Sequence, residues 1–233
     1  MFRAILDFFY PRTCVICDRR LATTERSVCA GCLSALPHIL YKGGDEHGRI
    51  EKLFWGRVPI ERATCGLRYD IEEVRLLVHT FKYFSQPQVA VDIAEILADE
   101  LSATDFFEGI DAIVPMPLHR KRLRKRGYNQ CDYIARGLQR VTHLPILKNA
   151  LHRLRNNPSQ THLTMLQREE NVKDLFQVVR PELLENKHIL LVDDVMTTGS
   201  TLLSAMQELH AIPNIHLSVF TIAYAGMIKP ELV

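Results

Sequence analysis

Apolar side chains in this chain occur as short runs and as helical stripes, and the two kinds alternate. Residues 62–69, RATCGLRY, have an extended pattern. From 71 to 83, Val74, Leu77, Val78 and Phe81 fall at the i, i+3, i+4, i+7 spacing of one helix face, and from 89 to 101 Ile93, Ile96, Leu97 and Leu101 repeat it. DAIVPMP (111–117) reads as a short buried strand, 129–141 as a helix with Ile134, Leu138 and Val141 inward, and LPILKNALHRL (144–154) as a further strand. HILLV (188–192) is a strand, 201–210 a helix and IHLSVFTIAYA (215–225) a closing strand, whereas 155–171 has no sustained period. Short apolar strands alternating with helices predict the α/β class, with a parallel sheet covered on both faces.

With 233 residues, 47% of them hydrophobic, the chain can bury one substantial core and carry a small appendage. No apolar run approaches the ~18 residues of a membrane span. Asp7 and Pro11 interrupt the apolar start where a signal peptide needs a clean stretch, so a cytoplasmic location is expected. The net charge of +2 does not by itself mark a nucleic-acid binder, and that question falls to local clusters.

The first such cluster is made of thiols. Cys14, Cys17, Cys29 and Cys32 form C-x2-C, eleven residues, C-x2-C, a spacing that sets four thiolates around one tetrahedral Zn2+. Two disulfides are the alternative, disfavoured in a reducing cytosol. Four protein ligands leave no open position, so the zinc is expected to be structural and to fold a small knuckle. KGGDEHG (42–48) reads as a linker and sets the boundaries at 1–48 for knuckle and linker and 49–233 for the main domain. Cys65 and Cys131 read as ordinary buried small residues. Phe2, Ile5, Leu6, Phe8 and Phe9 read as packing for the knuckle rather than as a partner-docking face.

The second cluster follows HILLV, where Asp193 and Asp194 precede Thr197, Thr198, Gly199, Ser200 and Thr201. In a parallel sheet this junction lies at the carboxyl edge, where ligands collect. Backbone N–H groups, hydroxyls and a helix N-terminus suit a phosphate. The acids would repel that phosphate and need another partner, either ribose hydroxyls or Mg2+. If the strand continues through Asp193, its alternation gives the two acids unequal roles. An N-capping loop with surface acids is the plain alternative. Neither G-x-x-x-x-G-K-[ST] nor G-x-G-x-x-G occurs, which removes P-loop and dinucleotide folds.

DDVMTTGST resembles the phosphoribosyl pyrophosphate signature of type I phosphoribosyltransferases. Together with VPMPLHRKRLRKRGYNQ (114–130), LRNNPSQTHLTMLQREENV (154–172) and the four cysteines, it resembles the ComF family, phosphoribosyltransferase-like proteins associated with DNA uptake and use. The resemblance implies a type I phosphoribosyltransferase-like parallel sheet flanked by helices. It places Asp193 and Asp194 on the ribose hydroxyls, Thr197 to Thr201 around the 5′-phosphate, and Mg2+ with the substrate. The implied reaction is 5-phosphoribosyl transfer to an acceptor that no motif identifies. Residues 155–171 would be a lid, with Arg153, Arg155, Gln160, Arg168 and Asn171 at family positions, although Asn157 stands where many relatives have Thr. Implied partners are phosphoribosyl pyrophosphate, single-stranded DNA and other competence or DNA-processing proteins.

Between Arg120 and Arg126, six of seven residues are Lys or Arg. The run reads as a solvated face, as a nucleic-acid track, or, as the resemblance implies, as a pyrophosphate clamp led by Arg120. Its place after DAIVPMP favours the clamp, and its surplus of cations keeps the single-stranded DNA reading open, with Tyr128 as the stacking aromatic.

Overall fold

The computed structural model describes residues 11–39, 41, 50–155 and 175–226. The expected linker at 42–48, Gln160, Arg168, Asn171, Asn157 and nearly all of the expected lid lie outside the described residues.

Four strands, β1 (Arg62–Arg68), β2 (Ala112–Pro115), β5 (His188–Met196) and β6 (His216–Tyr224), form one all-parallel sheet in the order β1-β6-β5-β2. Helices α2 (Glu72–Tyr83) and α3 (Gln88–Leu101) connect β1 to β2, α4 (Arg120–Arg126) and α5 (Gln130–Thr142) follow β2, and α6 (Ser200–Leu209) joins β5 to β6. Alternation along β5 separates two cores. Leu190 and Val192 pack with α2, α3 and α5 on one face, and Ile189 and Leu191 pack with α6 on the other. Helices α5 and α6 therefore leave the sheet on opposite faces around β5, and its carboxyl end is a topological switch point.

Both sheet edges are covered. Beside β1, His38 bridges Leu67, and Ile39 donates its N–H to the Gly66 carbonyl at 2.8 Å. Beside β2, Ile146 bridges Ile113. The segment 144–154 is thus not one strand, as its pattern predicted. Its first part lies along the sheet edge, and Leu151–Arg153 (β3) pairs antiparallel with Phe176–Val178 (β4) in a separate two-stranded sheet. Single apolar positions in each half gave a run whose two partners lie far apart in sequence.

Helices α3 and α5 approach closely because Gly137 has no side chain: a Cβ there would meet the Val91 carbonyl at 2.4 Å. The N-terminal region, with its helix α1 (Ala30–Ala35), packs on the outer side of α3. Cys14, Leu21, Val28, Cys29 and Leu36 join the same apolar core as Ile93 and Leu97, and Arg26 meets Glu95 at 2.5 Å.

Candidate functional site

β2 and β5 end together: Pro115 is in register with Val192, and Met116 N–H donates to the Val192 carbonyl at 2.9 Å. The acid pair follows at once, and β5 continues through it to Met196, with Asp193 opposite Thr221. The pleat gives the two side chains different partners, although an oxygen of each and the Cys131 Sγ lie within 4.8 Å of one another. Asp194 enters the α2/α5 layer, where its Oδ1 lies 2.7 Å from Lys82 Nζ and its Oδ2 accepts from Gln130 Nε2 at 2.5 Å. Lys82 is mostly buried, and although burial, the largest single influence, depresses its pKa, the charge and hydrogen bond of Asp194 together with Asp193 and Cys131 outweigh it and leave it raised. Asp193 Oδ1 accepts from the Asp194 N–H at 2.9 Å and from Cys131 Sγ at 3.4 Å. Burial and then the neighbouring Asp194 charge push the Asp193 carboxyl up to about 6.

Lys82, Gln130 and Cys131 are members of this site that sequence reading missed. Cys131 in particular is not a bland core residue, because it lies against Asp193, and burial raises its thiol pKa well above the usual value. Cys65 does pack as a buried side chain, accepting from Thr221 Oγ1 at 2.9 Å.

Beyond Met196 the chain turns through Thr197 and Thr198, both exposed, into α6, which starts at Ser200 and includes Thr201. Gly199, at φ +74°, makes that turn over the buried Phe54 ring. No acid stands in the first turn of α6, and Gly199 supplies no capping side chain, so the helix-start N–H groups face outward without a competing carboxylate.

The basic run folds as α4, N-capped by His119 Nδ1 and closed by Gly127 at φ +84°. Arg120, Lys121, Arg124 and Lys125 are exposed, and Arg122 and Arg126, four residues apart, are the half-buried pair. Burial, then the charges of Lys121, Arg153, Arg122 and Arg120, lower the His119 pKa. Arg126 donates to Gln130 Oε1 and its guanidinium lies 5.1 Å from the Tyr83 ring centroid. Tyr128 is tied down, donating to the Phe81 carbonyl at 2.5 Å, so it is not the exposed stacking aromatic expected of it; Tyr83 at 61% exposure and Phe84 at 60% hold that position. On β3, Arg153 is half-buried with its guanidinium over the Phe176 ring, and its buried Nε has no partner among the described residues. Its pKa is lowered by burial and then by Arg122, while Asp193 pulls it the other way. Arg155 is exposed just beyond it.

The four cysteines of the N-terminal region gather as their spacing predicted. Their Sγ atoms lie within 4.8 Å of one another, and all six cysteines are free thiols, which sets the disulfide alternative aside. N–H groups of Cys29 and Cys32 donate to Cys14 Sγ at 3.3 Å and Cys29 Sγ at 3.4 Å. The Cys32 N–H, and then the Arg19 guanidinium, lower the Cys29 thiol pKa to about 6. Four thiols gathered this closely, with backbone N–H donors to two of the sulfurs, fit a structural Zn2+.

A cleft of about 460 Å3 lies between this region and α3, lined among others by Ser27, Val28, Leu33, Asp92, Ile93 and Glu95. None of the expected site residues lines it, and its carboxylates would repel a phosphorylated ligand. No helix among the described residues is long and apolar enough to cross a membrane.

The phosphoribosyl transferase domain model matches residues 82–213, more than half of the chain, and the double zinc ribbon domain model matches 5–48. Competence protein F of Haemophilus influenzae is 28% identical over 210 residues, covering 85% of this chain and 90% of that protein. DNA utilization protein YhgH of Salmonella typhimurium is 32% identical over 209 residues, covering 85% and 91%. Competence protein ComFC of Bacillus subtilis is 33% identical over 92 residues, covering 39% and 34%. With its type I parallel sheet behind a four-cysteine zinc ribbon, the chain belongs to the phosphoribosyl transferase domain family, among the ComF-type proteins.

Proposed function

We propose that this protein binds phosphoribosyl pyrophosphate with Mg2+ at the carboxyl end of β5, and transfers the 5-phosphoribosyl group in a process of DNA uptake or use. One observation carries the reading: a carboxylate pair and an uncapped helix N-terminus share a switch point, five residues apart along the chain from Asp194 to Gly199. The acid pair suits ribose hydroxyls, and Thr197, Thr198, Gly199, Ser200 and Thr201 suit the 5′-phosphate. Arg153 from β3 is within electrostatic reach of Asp193 and of Arg122 on α4, the helix that starts at Arg120, and these cations suit the pyrophosphate. As the pyrophosphate leaves and the acceptor bonds to the sugar, the fixed carboxylates would stabilise the positive charge that develops there, and Mg2+, bound with the substrate near Asp193 and Asp194, would supply countercharge for the leaving group. Cys14, Cys17, Cys29 and Cys32 would hold the structural zinc and take no part in the reaction. The family names of the relatives support the link to DNA. Calorimetric titration of the sugar pyrophosphate with Mg2+ tests the reading: wild type binds and Asp193→Asn/Asp194→Asn does not, whereas equal binding by both refutes it.

A second reading, single-stranded DNA binding, is favoured by the exposed cations Lys121, Arg124 and Lys125 on a helix whose Arg126 lies over the exposed Tyr83 ring, since bases stack on aromatics next to a basic track. The two surfaces are different, and one protein can hold both ligands.

A further inference from the structure

The zinc ribbon is tied to the main domain by two carboxylates of α3. Asp92 is buried, and it accepts from Ser27 Oγ of the ribbon and from Gln88 Nε2 at 2.8 Å, with the Arg26 guanidinium at 3.9 Å. Glu95 joins three parts of the molecule: its Oε2 meets Arg26 of the ribbon at 2.5 Å and Arg140, in the last turn of α5, at 2.8 Å. Below these pairs the Gly137 contact with the Val91 carbonyl leaves α5 no room to slide along α3. Two of the four thiols, Cys14 and Cys29, are themselves buried in the core that holds Ile93 of α3, Ile134 and Leu138 of α5, and Val192 of β5. About 15 Å along its axis from Arg140, α5 begins at the acid pair, where Gln130 Nε2 donates to Asp194 at 2.5 Å and Cys131 Sγ lies 3.4 Å from Asp193 Oδ1.

We infer that the ribbon is a strut for the distant acid-pair site: with its four thiolates on zinc it holds α3 and α5 where α5 can present Gln130 and Cys131 to β5, and Glu95 is the positioning residue that carries the connection. A four-cysteine ribbon owes its fold to its metal. Losing the metal withdraws Cys14 and Cys29 from the shared core, uncovers Ile93 and Leu97, and takes Ser27 from Asp92 and Arg26 from Glu95. That leaves α3 with an under-bonded buried carboxylate and α5 with a loosened neighbour at Gly137. The ribbon thereby sets ligand affinity without touching the ligand. This last step rests on the phosphoribosyl reading, whereas the mechanical link does not.

Amide hydrogen exchange, and titration calorimetry of the sugar pyrophosphate with Mg2+, are run on the full chain in five forms: zinc-loaded wild type, wild type stripped by a chelator that leaves Mg2+ free, and zinc-loaded E95Q, R140Q and R140K. Stripping is expected to speed exchange in 130–138 and 193–196 at least about tenfold while α6, on the opposite face of the sheet, keeps its protection, and to weaken binding at least about tenfold. Arg26 and Arg140 are about half exposed, so their pairs with Glu95 add little to stability and E95Q should keep its zinc and its melting temperature. It should nevertheless bind about threefold more weakly and exchange faster in 130–138, and R140K should recover most of what R140Q loses. Faster exchange confined to 11–39, equal loss of protection in α6, or wild-type affinity in the stripped chain would overturn the strut. E95Q that matches wild type in both measurements would overturn the role of Glu95. Where the stripped chain unfolds entirely, the zinc-loaded E95Q and Arg140 variants decide. If zinc-loaded wild type binds no sugar pyrophosphate, the phosphoribosyl reading fails, and hydrogen exchange alone judges the strut.

Discussion

Replacing Asp193 by Asn should make the protein more stable while taking away its ligand. Burial, and then the charge of Asp194, raise the Asp193 carboxyl from 3.8 to about 6, against the opposing pull of the Asp194 N–H, the Lys82 ammonium and the Cys131 thiol. Arg153 is the remaining charge that faces it, from β3. A folded-state pKa above the unfolded one means that the native protein holds the extra proton between about pH 4 and 6, so stability falls as pH rises through that window. At about 1.36 kcal/mol per pKa unit, the ionised carboxylate costs the fold about 3 kcal/mol at neutral pH. Asn keeps the Oδ1 acceptor that serves the Asp194 N–H and Cys131, and carries no charge. Unfolding in urea, followed by circular dichroism from pH 4 to 8, should show the variant more stable by about 1–3 kcal/mol at pH 7.5, with the difference shrinking toward zero at pH 4. Wild-type affinity for the sugar pyrophosphate should rise more steeply than the variant's as pH passes through 6, because the ligand's phosphate ionises in both cases near that pH while only the wild type also ionises Asp193. A variant less stable than wild type at pH 7.5, or a gap that does not change with pH, would refute the placement of a strained, ligand-facing carboxylate here.

Gly199→Ala puts a Cβ at φ +74° and 3.3 Å from the Phe54 ring, and should cost about 1–2 kcal/mol in chemical denaturation as well as weakening phosphate binding; an unchanged midpoint would mean the turn relaxes freely. Treatment with a metal chelator should lower the calorimetric melting temperature of the whole chain in a single transition, because Cys14, Leu21, Val28, Cys29 and Leu36 share their core with α3. An unshifted main transition would show the N-terminal region to be energetically separate. Arg124→Glu with Lys125→Glu, both on the exposed face of α4, should weaken single-stranded DNA binding in a gel-shift salt series and flatten the slope of log affinity against log salt by about one for each lost phosphate contact. An unaltered slope would move the DNA track elsewhere.

The elements that a sequence discloses here are those whose physics is local. Cysteines three positions apart, a glycine with hydroxyls beside two acids, and apolar stripes at helical spacing each declare themselves within about ten residues, and these gave the sheet, the ribbon and the position of the acid pair. What was not legible depends on partners brought from far along the chain. Residues 144–154 read as one strand because nothing in them tells that Ile146 meets Ile113 while Arg153 pairs with Phe176. Arg120 drew notice as the first residue of a charge run, but once the run is a helix, inward facing is set by a four-residue step, and that step selects Arg122 and Arg126.

Lys82 is the instructive case, because its signal was present in the sequence. It follows Val74 and Val78 at intervals of four, on the stripe that buries α2, and a lysine on an apolar stripe is either a snorkelling surface residue or half of an internal ion pair. Deciding between them needs the other half, and Asp194 stands 112 positions away along the chain. The same reasoning separates the two acids. Adjacent in sequence, they look like one motif, and only the continuation of β5 past them, in register with β6 as far as Met196, gives them opposite faces and different partners. A charged residue found on a buried face is therefore a demand for a counter-charge elsewhere, and here Asp194, at the carboxyl end of β5, meets that demand for Lys82.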